Sequence, residues 1–139
     1  MQDFYRPFLK KFALAIRDAN PDLIFLFEPI PNEDPPNCLI DGDLDWHENC
    51  VYAPHWYDLH SVFNKKFSGF LTHDVQGLSR GMSVFQASYF GVKGARRNYT
   101  FQISNIVKHG LELLGKKPCL IGECGIPMDI NEKRVSFFL

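Results

Sequence analysis

Glu123 is the residue whose type and position most strongly indicate chemistry in this chain. It follows a short apolar run, Leu120-Ile121-Gly122, and this pattern is typical of a buried strand that ends at a glycine. An apolar strand cannot carry an unpaired charge without a large cost in free energy. The sequence therefore predicts that Glu123 lies at the carboxyl end of a strand, either in a polar cleft or at a reaction site.

A second group of polar and aromatic side chains follows another short strand, predicted at about Cys50 to Ala53. His55, Trp56 and Tyr57 come soon after it. Two strands that both end in functional groups indicate a parallel sheet with its site at the carboxyl edge. Because side chains alternate along a strand, His55 and Tyr57 should project to one side and Trp56 to the other, where packing is its expected role.

The elements that must position these groups alternate between helices and strands. Apolar residues recur at helical spacing from about Phe4 to Ala19, and Asn20-Pro21 ends this predicted helix. Leu23 to Phe27 reads as a continuous apolar strand that ends at Glu28. The acidic, proline-rich stretch 29–49 is predicted to be a loop.

The second half of the chain is predicted to contain a long irregular segment and one helix. The segment from Asp58 to Arg97 is rich in glycine and aromatic residues. Asn98 is the predicted cap of a helix that ends at Gly115. The whole order is helix, strand, strand, helix, strand, which predicts an α/β fold with parallel strands covered on both faces.

Composition bounds the class of protein. A chain of 139 residues with 45% hydrophobic residues forms at most one packed domain. The net charge of −1 gives no electrostatic case for nucleic acid or an anionic membrane as a partner. No apolar run is long enough for a transmembrane segment. The N-terminus lacks the order of a signal peptide, which predicts a cytoplasmic protein if Met1 is the true start.

The sequence predicts no cofactor and no metal. The four cysteines have no CxxC spacing, so free thiols are expected. His47 with Cys38 and Cys50 could be drawn as a metal cluster, but this spacing fits no common zinc pattern.

Three motifs stand out: Tyr52-Ala53-Pro54-His55-Trp56-Tyr57-Asp58-Leu59, Gln76-Gly77-Leu78-Ser79-Arg80-Gly81 and Gly122-Glu123-Cys124-Gly125-Ile126-Pro127-Met128-Asp129. In combination they resemble glycoside hydrolase family 5, and within it the fungal endoglycoceramidase-related branch of glucosylceramidases and steryl β-glucosidases. The resemblance covers nearly the whole chain. It implies a partial (β/α)8 TIM barrel, from about the fourth helix to the seventh strand, so that residues 1–139 are an incomplete, C-terminal part of a catalytic domain.

The resemblance also implies roles for individual residues. Glu123 would be the catalytic nucleophile, Tyr57 would hydrogen-bond it, and His55 would line the site near the acid/base. Glu28, at the end of the fifth barrel strand, would line the cleft or else pair with a surface base. The acid/base glutamate of the family, in an Asn-Glu-Pro motif, is not expected in this chain, because Glu33 has Asp34 between it and the proline and lies in the wrong loop.

The implied function is hydrolysis of the β-glucoside of a lipid, such as glucosylceramide or a steryl glucoside, by a retaining mechanism. The chain alone is expected to be inactive because it lacks a positioned general acid. The aromatic-rich segment 58–97 would either shelter a lipid aglycone or form a local core. The alternative is a truncated, non-catalytic product that binds a sugar or a partner. Exposed strand edges predict self-association in either case.

Overall fold

The computed structural model describes residues 4–29, 34–37, 48–127 and 129–133, without the side chains of 132 and 133. These residues form four α-helices, six short strands and one 3-10 turn. In chain order they are α1 (Tyr5–Ala19), β1 (Phe25–Phe27), β2 (Cys50–Tyr52), β3 (His55–Tyr57), α2 (Leu59–Asn64), β4 (Leu71–His73), α3 (Val75–Ser79), β5 (Ser88–Phe90), α4 (Gly91–Leu114), β6 (Glu123–Gly125) and the 3-10 turn Ile130–Lys133.

The chain divides into two compact units. The first contains Met1–His55 and Ile106–Gly122, and the second contains Trp56–Asn105 and Glu123–Leu139. In the first unit β1 and β2 pair in parallel, with Phe25 opposite Cys50 and Phe27 opposite Tyr52. The rings of Phe27 and Tyr52 lie 5.7 Å apart, and all four of these side chains are buried. The first core is therefore built mainly from aromatic residues of two parallel strands.

A third extended segment runs beside β2 in the same unit. The amide of Tyr52 donates to the carbonyl of Pro118, the amide of Leu120 donates to Tyr52, and the amide of Gly122 donates to Pro54. The bridge between Tyr52 and Cys119 is parallel. These hydrogen bonds set the register of the chain as it approaches Glu123.

In the second unit, short elements are held by buried polar side chains. Strands β4 and β5 pair antiparallel, and β3 pairs with β6. The carboxylates of Asp58 and Asp74 cap α2 and α3 by accepting hydrogen bonds from the amides of Ser61 and Gly77. Such caps satisfy amides that a helix start leaves without partners, so helices of only five or six residues can form here.

The structure corrects the prediction for the segment from Asp58 to Arg97. It is not irregular, because it contains α2, β4, α3, β5 and the first turns of α4. Asn98 is not a helix cap; α4 begins seven residues earlier, at Gly91, whose φ is +71°. Asn98 is fully buried inside the helix, where its amide donates to Thr72 and its carbonyl accepts from Gln102. These two bonds explain why a residue that favours caps lies within a helix.

Two further predictions about strands are wrong. The residues before Glu123 are not a buried strand, since Leu120 is 53% exposed, and β6 begins at Glu123 rather than ending there. Strand β1 is also not covered on both faces. Its Phe25 and Phe27 are buried, whereas Leu26 is 53% exposed. Three other predictions are confirmed: the helix from Phe4 to Ala19, the parallel pairing of the first two strands, and the end of the last helix at Gly115.

Close packing of α4 on β2 gives a first prediction. A Cβ placed on Gly110 would lie 2.8 and 2.9 Å from two ring carbons of the buried Tyr52. We expect Gly110→Ala to lower the free energy of unfolding, because overpacking costs about 1–3 kcal/mol and outweighs the gain of about 1 kcal/mol for alanine in a helix. The measurement is urea unfolding, with Gly69→Ala as the control, since that Cβ would meet only ordinary contacts at 3.6 Å or more. Unchanged or increased stability of Gly110→Ala would contradict this packing.

Candidate active site

The centre of the candidate site is a hydrogen bond between Tyr57 and Glu123 in the second unit. The Tyr57 hydroxyl donates to Oε2 of Glu123 across 2.6 Å, a short distance that is typical of a bond to a carboxylate. This bond raises the pKa of the Tyr57 phenol above its ordinary value. The phenol therefore stays protonated at neutral pH and remains a hydrogen-bond donor to the carboxylate.

The residues on either side of Tyr57 hold β3 against α4. Trp56 donates from Nε1 to Oε1 of Gln102 at 3.2 Å, and its ring packs edge-on against Tyr99 at 5.1 Å. Asp58 is buried and accepts a bond of 2.6 Å from the Tyr99 hydroxyl. Because side chains alternate along an extended chain, fixing Trp56 and Asp58 on α4 leaves Tyr57 facing the other way, toward β6. The packing role expected for Trp56 is confirmed.

Asp58 carries three hydrogen bonds in this arrangement. The Ser61 amide and hydroxyl donate to its two oxygens at 3.3 and 2.5 Å, in addition to the Tyr99 hydroxyl. A buried carboxylate needs such donors, since burying a charge without them costs several kcal/mol. Burial raises the pKa of the Tyr99 phenol far above its ordinary value, and its bond to Asp58 adds to this.

An apolar cavity lies beside Tyr57 in the same unit. Its volume is about 300 Å³, and its lining residues are Tyr57, Leu59, Val62, Ile126 and Pro127. Two of these residues follow β3, and two follow β6, so the strands that present Tyr57 and Glu123 also build the cavity. A cavity of this size and composition suits part of an apolar ligand.

In the first unit, His55 contacts Glu28. The Nε2 atom of His55 lies 3.1 Å from Oε1 of Glu28, and the imidazole is one-quarter exposed. Gly122 lies against this ring, since a Cβ placed on Gly122 would lie 3.4 Å from two of its atoms. The sequence left open whether Glu28 lines the cleft or pairs with a surface base. In the structure its partner is His55, which is itself a predicted site residue.

The four predicted site residues thus form two pairs, each within its own unit: Tyr57 with Glu123, and His55 with Glu28. Glu33, Cys38 and His47 lie outside the described residues. Sequence reasoning missed the support of β3 by Asp58 and Tyr99. The signal for it was an aspartate directly before a helix, which is typical of a cap.

Within the described parts of the chain, no group of three His, Cys, Asp or Glu side chains is arranged to bind a metal ion. In those same parts, no helix has the length and hydropathy needed to cross a membrane.

Both the sequence and the structure of this chain are similar to those of known fungal proteins. The chain is 49% identical over 132 residues to a glucosylceramidase of Rhizopus delemar, covering 95% of this chain and 19% of that protein. It is 44% identical over 141 residues to a glucosylceramidase of Cryptococcus neoformans, covering 95% and 18%. The structure matches the crystal structure of Cryptococcus neoformans sterylglucosidase 1 with a TM-score of 0.82 and 25% identity, covering 94% and 18%. No family model matches the sequence.

The chain is therefore homologous to one segment of the fungal glucosylceramidases and sterylglucosidases, and the resemblance drawn from its motifs is confirmed. It spans about a fifth of the length of the curated relatives it matches. The fold is mixed helix and strand, as predicted, and matches part of a sterylglucosidase. The described residues form three two-stranded sheets rather than a closed barrel.

The raised pKa of Tyr99 predicts how stability depends on pH. An unfolded phenol ionises near pH 10, whereas the folded Tyr99 phenol keeps its proton to higher pH. Its contribution to folding is fully present below about pH 10 and is lost as the pH rises above that value. We expect the free energy of unfolding to fall less steeply above about pH 10 in Tyr99→Phe than in the unchanged chain.

Urea unfolding at several pH values measures this slope. Tyr89→Phe is the matched control, because it also removes one phenol from the second unit without touching Asp58. Equal slopes for the unchanged chain and Tyr99→Phe would mean that the bond between Tyr99 and Asp58 does not hold in solution.

Proposed function

We propose that this chain carries the nucleophile half of a retaining β-glucosidase site that acts on a lipid glucoside, such as glucosylceramide or a steryl glucoside. The observation that carries the proposal is the bond of 2.6 Å between Tyr57 and Glu123. The names of the relatives, which are glucosylceramidases and a sterylglucosidase, support the class of reaction and of substrate.

In the proposed first step, a carboxylate oxygen of Glu123 attacks the anomeric carbon of the glucoside. The bond to the aglycone oxygen breaks, and that oxygen takes a proton from a general acid. The product is a glycosyl ester of Glu123, which water then cleaves to release glucose and the free carboxylate. The general acid is proposed to lie outside this segment, because the motifs supply only one of the two carboxyl groups that a retaining enzyme needs.

Tyr57 is proposed as the residue that orients this carboxylate. Its hydroxyl bonds Oε2, so the rotation of the carboxylate about its last bond is restricted.

The apolar cavity beside Tyr57 supports a lipid as the aglycone. All its lining residues except Tyr57 are aliphatic, and Tyr57 is the residue that bonds the proposed nucleophile. An apolar group that leaves the anomeric carbon could occupy it without losing hydrogen bonds to water.

The remaining parts of the proposal rest on the resemblance. The segment is proposed to correspond to the fourth helix through the seventh strand of a (β/α)8 barrel, and residues 1–139 to an incomplete catalytic domain. His55 and Glu28 are proposed as substrate-binding residues. The isolated chain is proposed to be inactive.

A chimera tests the role of Glu123. The 139 residues replace the matching segment of the Rhizopus delemar glucosylceramidase, to which they are 49% identical. We expect Glu123→Gln to lower kcat for an aryl β-glucoside by at least about 1,000-fold, because a neutral amide cannot form the ester. Tyr57→Phe should lower it less, up to about 100-fold, since it removes only an orienting bond.

Glu112→Gln is the control for this experiment, because Glu112 is an exposed glutamate of α4 that pairs with Lys108. It should leave kcat unchanged. Near-normal activity of the Glu123→Gln chimera would exclude Glu123 as the nucleophile, and turnover by the isolated chain would show that it contains its own general acid.

A further inference from the structure

Charge is unevenly distributed along this chain. Between Leu59 and Asn105 there are six lysine and arginine residues and a single acidic residue, Asp74. Asp74 is buried at 1% exposure and caps α3, so it contributes little to the surface. The whole chain has a net charge of only −1, because acidic residues outside this segment balance its bases. The surface of this segment is therefore locally basic.

Three of the bases lie on one exposed face of α4. Val92, Lys93, Arg96 and Arg97 are exposed, whereas Gly94 and Ala95 between them are buried. Positions three and four apart lie on the same side of a helix, so these residues form one continuous face. Within the second unit, Lys65 also lies at the surface, where it pairs with Asp129 at 2.7 Å.

Large apolar side chains are exposed directly beside this helix face. Phe70, directly before β4, and Phe90, the last residue of β5, are 75% and 64% exposed, and their rings contact each other edge-on at 6.2 Å. Val92 is 59% exposed and follows Phe90 after one residue. A Cβ placed on Gly69 would lie 3.6 Å from Val92 and 3.9 Å from Phe67, which joins Phe67 to the same cluster.

We propose that this surface docks on an anionic lipid bilayer. It is called the aromatic–basic face here, and it consists of Phe67, Phe70, Phe90, Val92, Lys93, Arg96 and Arg97. The apolar side chains would enter the boundary between headgroups and acyl chains, while the three bases would remain among the anionic headgroups. The inference does not depend on the assignment of Glu123.

Charge complementarity favours a bilayer over a protein partner. The centres of interfaces between proteins are depleted of charged residues, with lysine depleted and arginine enriched in the interface as a whole. Here three cations adjoin the apolar cluster along one helix face, and covering them with protein would require matching carboxylates. A layer of anionic headgroups above hydrocarbon offers negative charge and an apolar phase at adjacent depths.

Flotation of the 139-residue chain with lipid vesicles tests the proposal. The vesicles contain phosphatidylcholine alone, or phosphatidylcholine with roughly one-third phosphatidylserine. We expect binding to the anionic vesicles only, and weaker binding at high salt. The variant Lys93→Gln, Arg96→Gln, Arg97→Gln should bind about 100-fold more weakly, at about fivefold for each base. The double variant Phe70→Ser with Phe90→Ser should bind at least about tenfold more weakly.

Matched controls carry the same changes elsewhere. Lys11→Gln, Lys108→Gln, Lys116→Gln removes three bases outside the segment, and Phe4→Ser with Phe8→Ser removes two phenylalanines that are 84% and 58% exposed in the first unit. Both should bind like the unchanged chain. If the serine variant fails to fold, the glutamine variant still decides, because glutamine is a good helix former at exposed positions.

Three results would overturn the proposal: no binding to anionic vesicles, equal binding to both kinds of vesicle, or equal losses in the variants and their controls. Sedimentation of the same samples adds a fourth. If Phe70→Ser with Phe90→Ser abolishes self-association and leaves vesicle binding unchanged, the face is a contact between copies of the chain.

Discussion

The hydrogen bond between Tyr57 and Glu123 depends on how β3 is fixed about its own axis. Trp56 and Asp58 are both held by side chains of α4, through Gln102 and Tyr99. A rotation of β3 would break these contacts and carry the Tyr57 hydroxyl away from the carboxylate. Such a rotation would also raise the free energy of the folded chain, because the buried carboxylate of Asp58 would lose donors that compensate for its burial.

The same support explains why α4 is long and begins early. The helix supplies Asn98 and Tyr99 from one turn and Gln102 from the next, so the chain is already helical where Asn98 bonds Thr72 of β4. Asn98 links Thr72 to Gln102, so one chain of hydrogen bonds runs from β4 through α4 to the indole of Trp56. The orientation of Tyr57, which bonds the candidate nucleophile, thus depends on buried polar groups that do not themselves bond Tyr57.

Part of this arrangement could be predicted from the sequence. The helix at Tyr5–Ala19 is long enough for its periodicity to be visible, and Gly115, with a φ of +74°, ends α4 as a glycine should. Strands of three residues show no periodicity in the sequence, so β4 and β5 could not be recognised within the segment predicted to be irregular. The early start of α4 was hidden as well, because Gly91 and Gly94 lower the helix propensity of its first turn.

The candidate residues were easier to predict than their partners. Glu123 and Tyr57 were predicted from the short apolar runs that precede them in the sequence, although the run before Glu123 is not a strand in the structure. The bond between them is the contact that the resemblance implies. The contact of Glu28 with His55 joins residues 27 positions apart, and only the parallel register of β1 and β2 brings their strand ends together. Average composition was a poor guide to the surface, since acids and bases occupy different parts of the chain.

The most direct test of the central claim is to find which residue becomes glycosylated. A 2-fluoro glucoside lacks the 2-hydroxyl whose hydrogen bonds strengthen in the transition state, so both steps of the reaction are slow. A good leaving group keeps the first step faster than the second, and the glycosyl-enzyme therefore accumulates. In the chimera with the Rhizopus delemar protein, mass spectrometry of the digested product should place the sugar on the peptide that contains Glu123. A sugar on a different carboxylate, with the Glu123 peptide unmodified, would contradict the account.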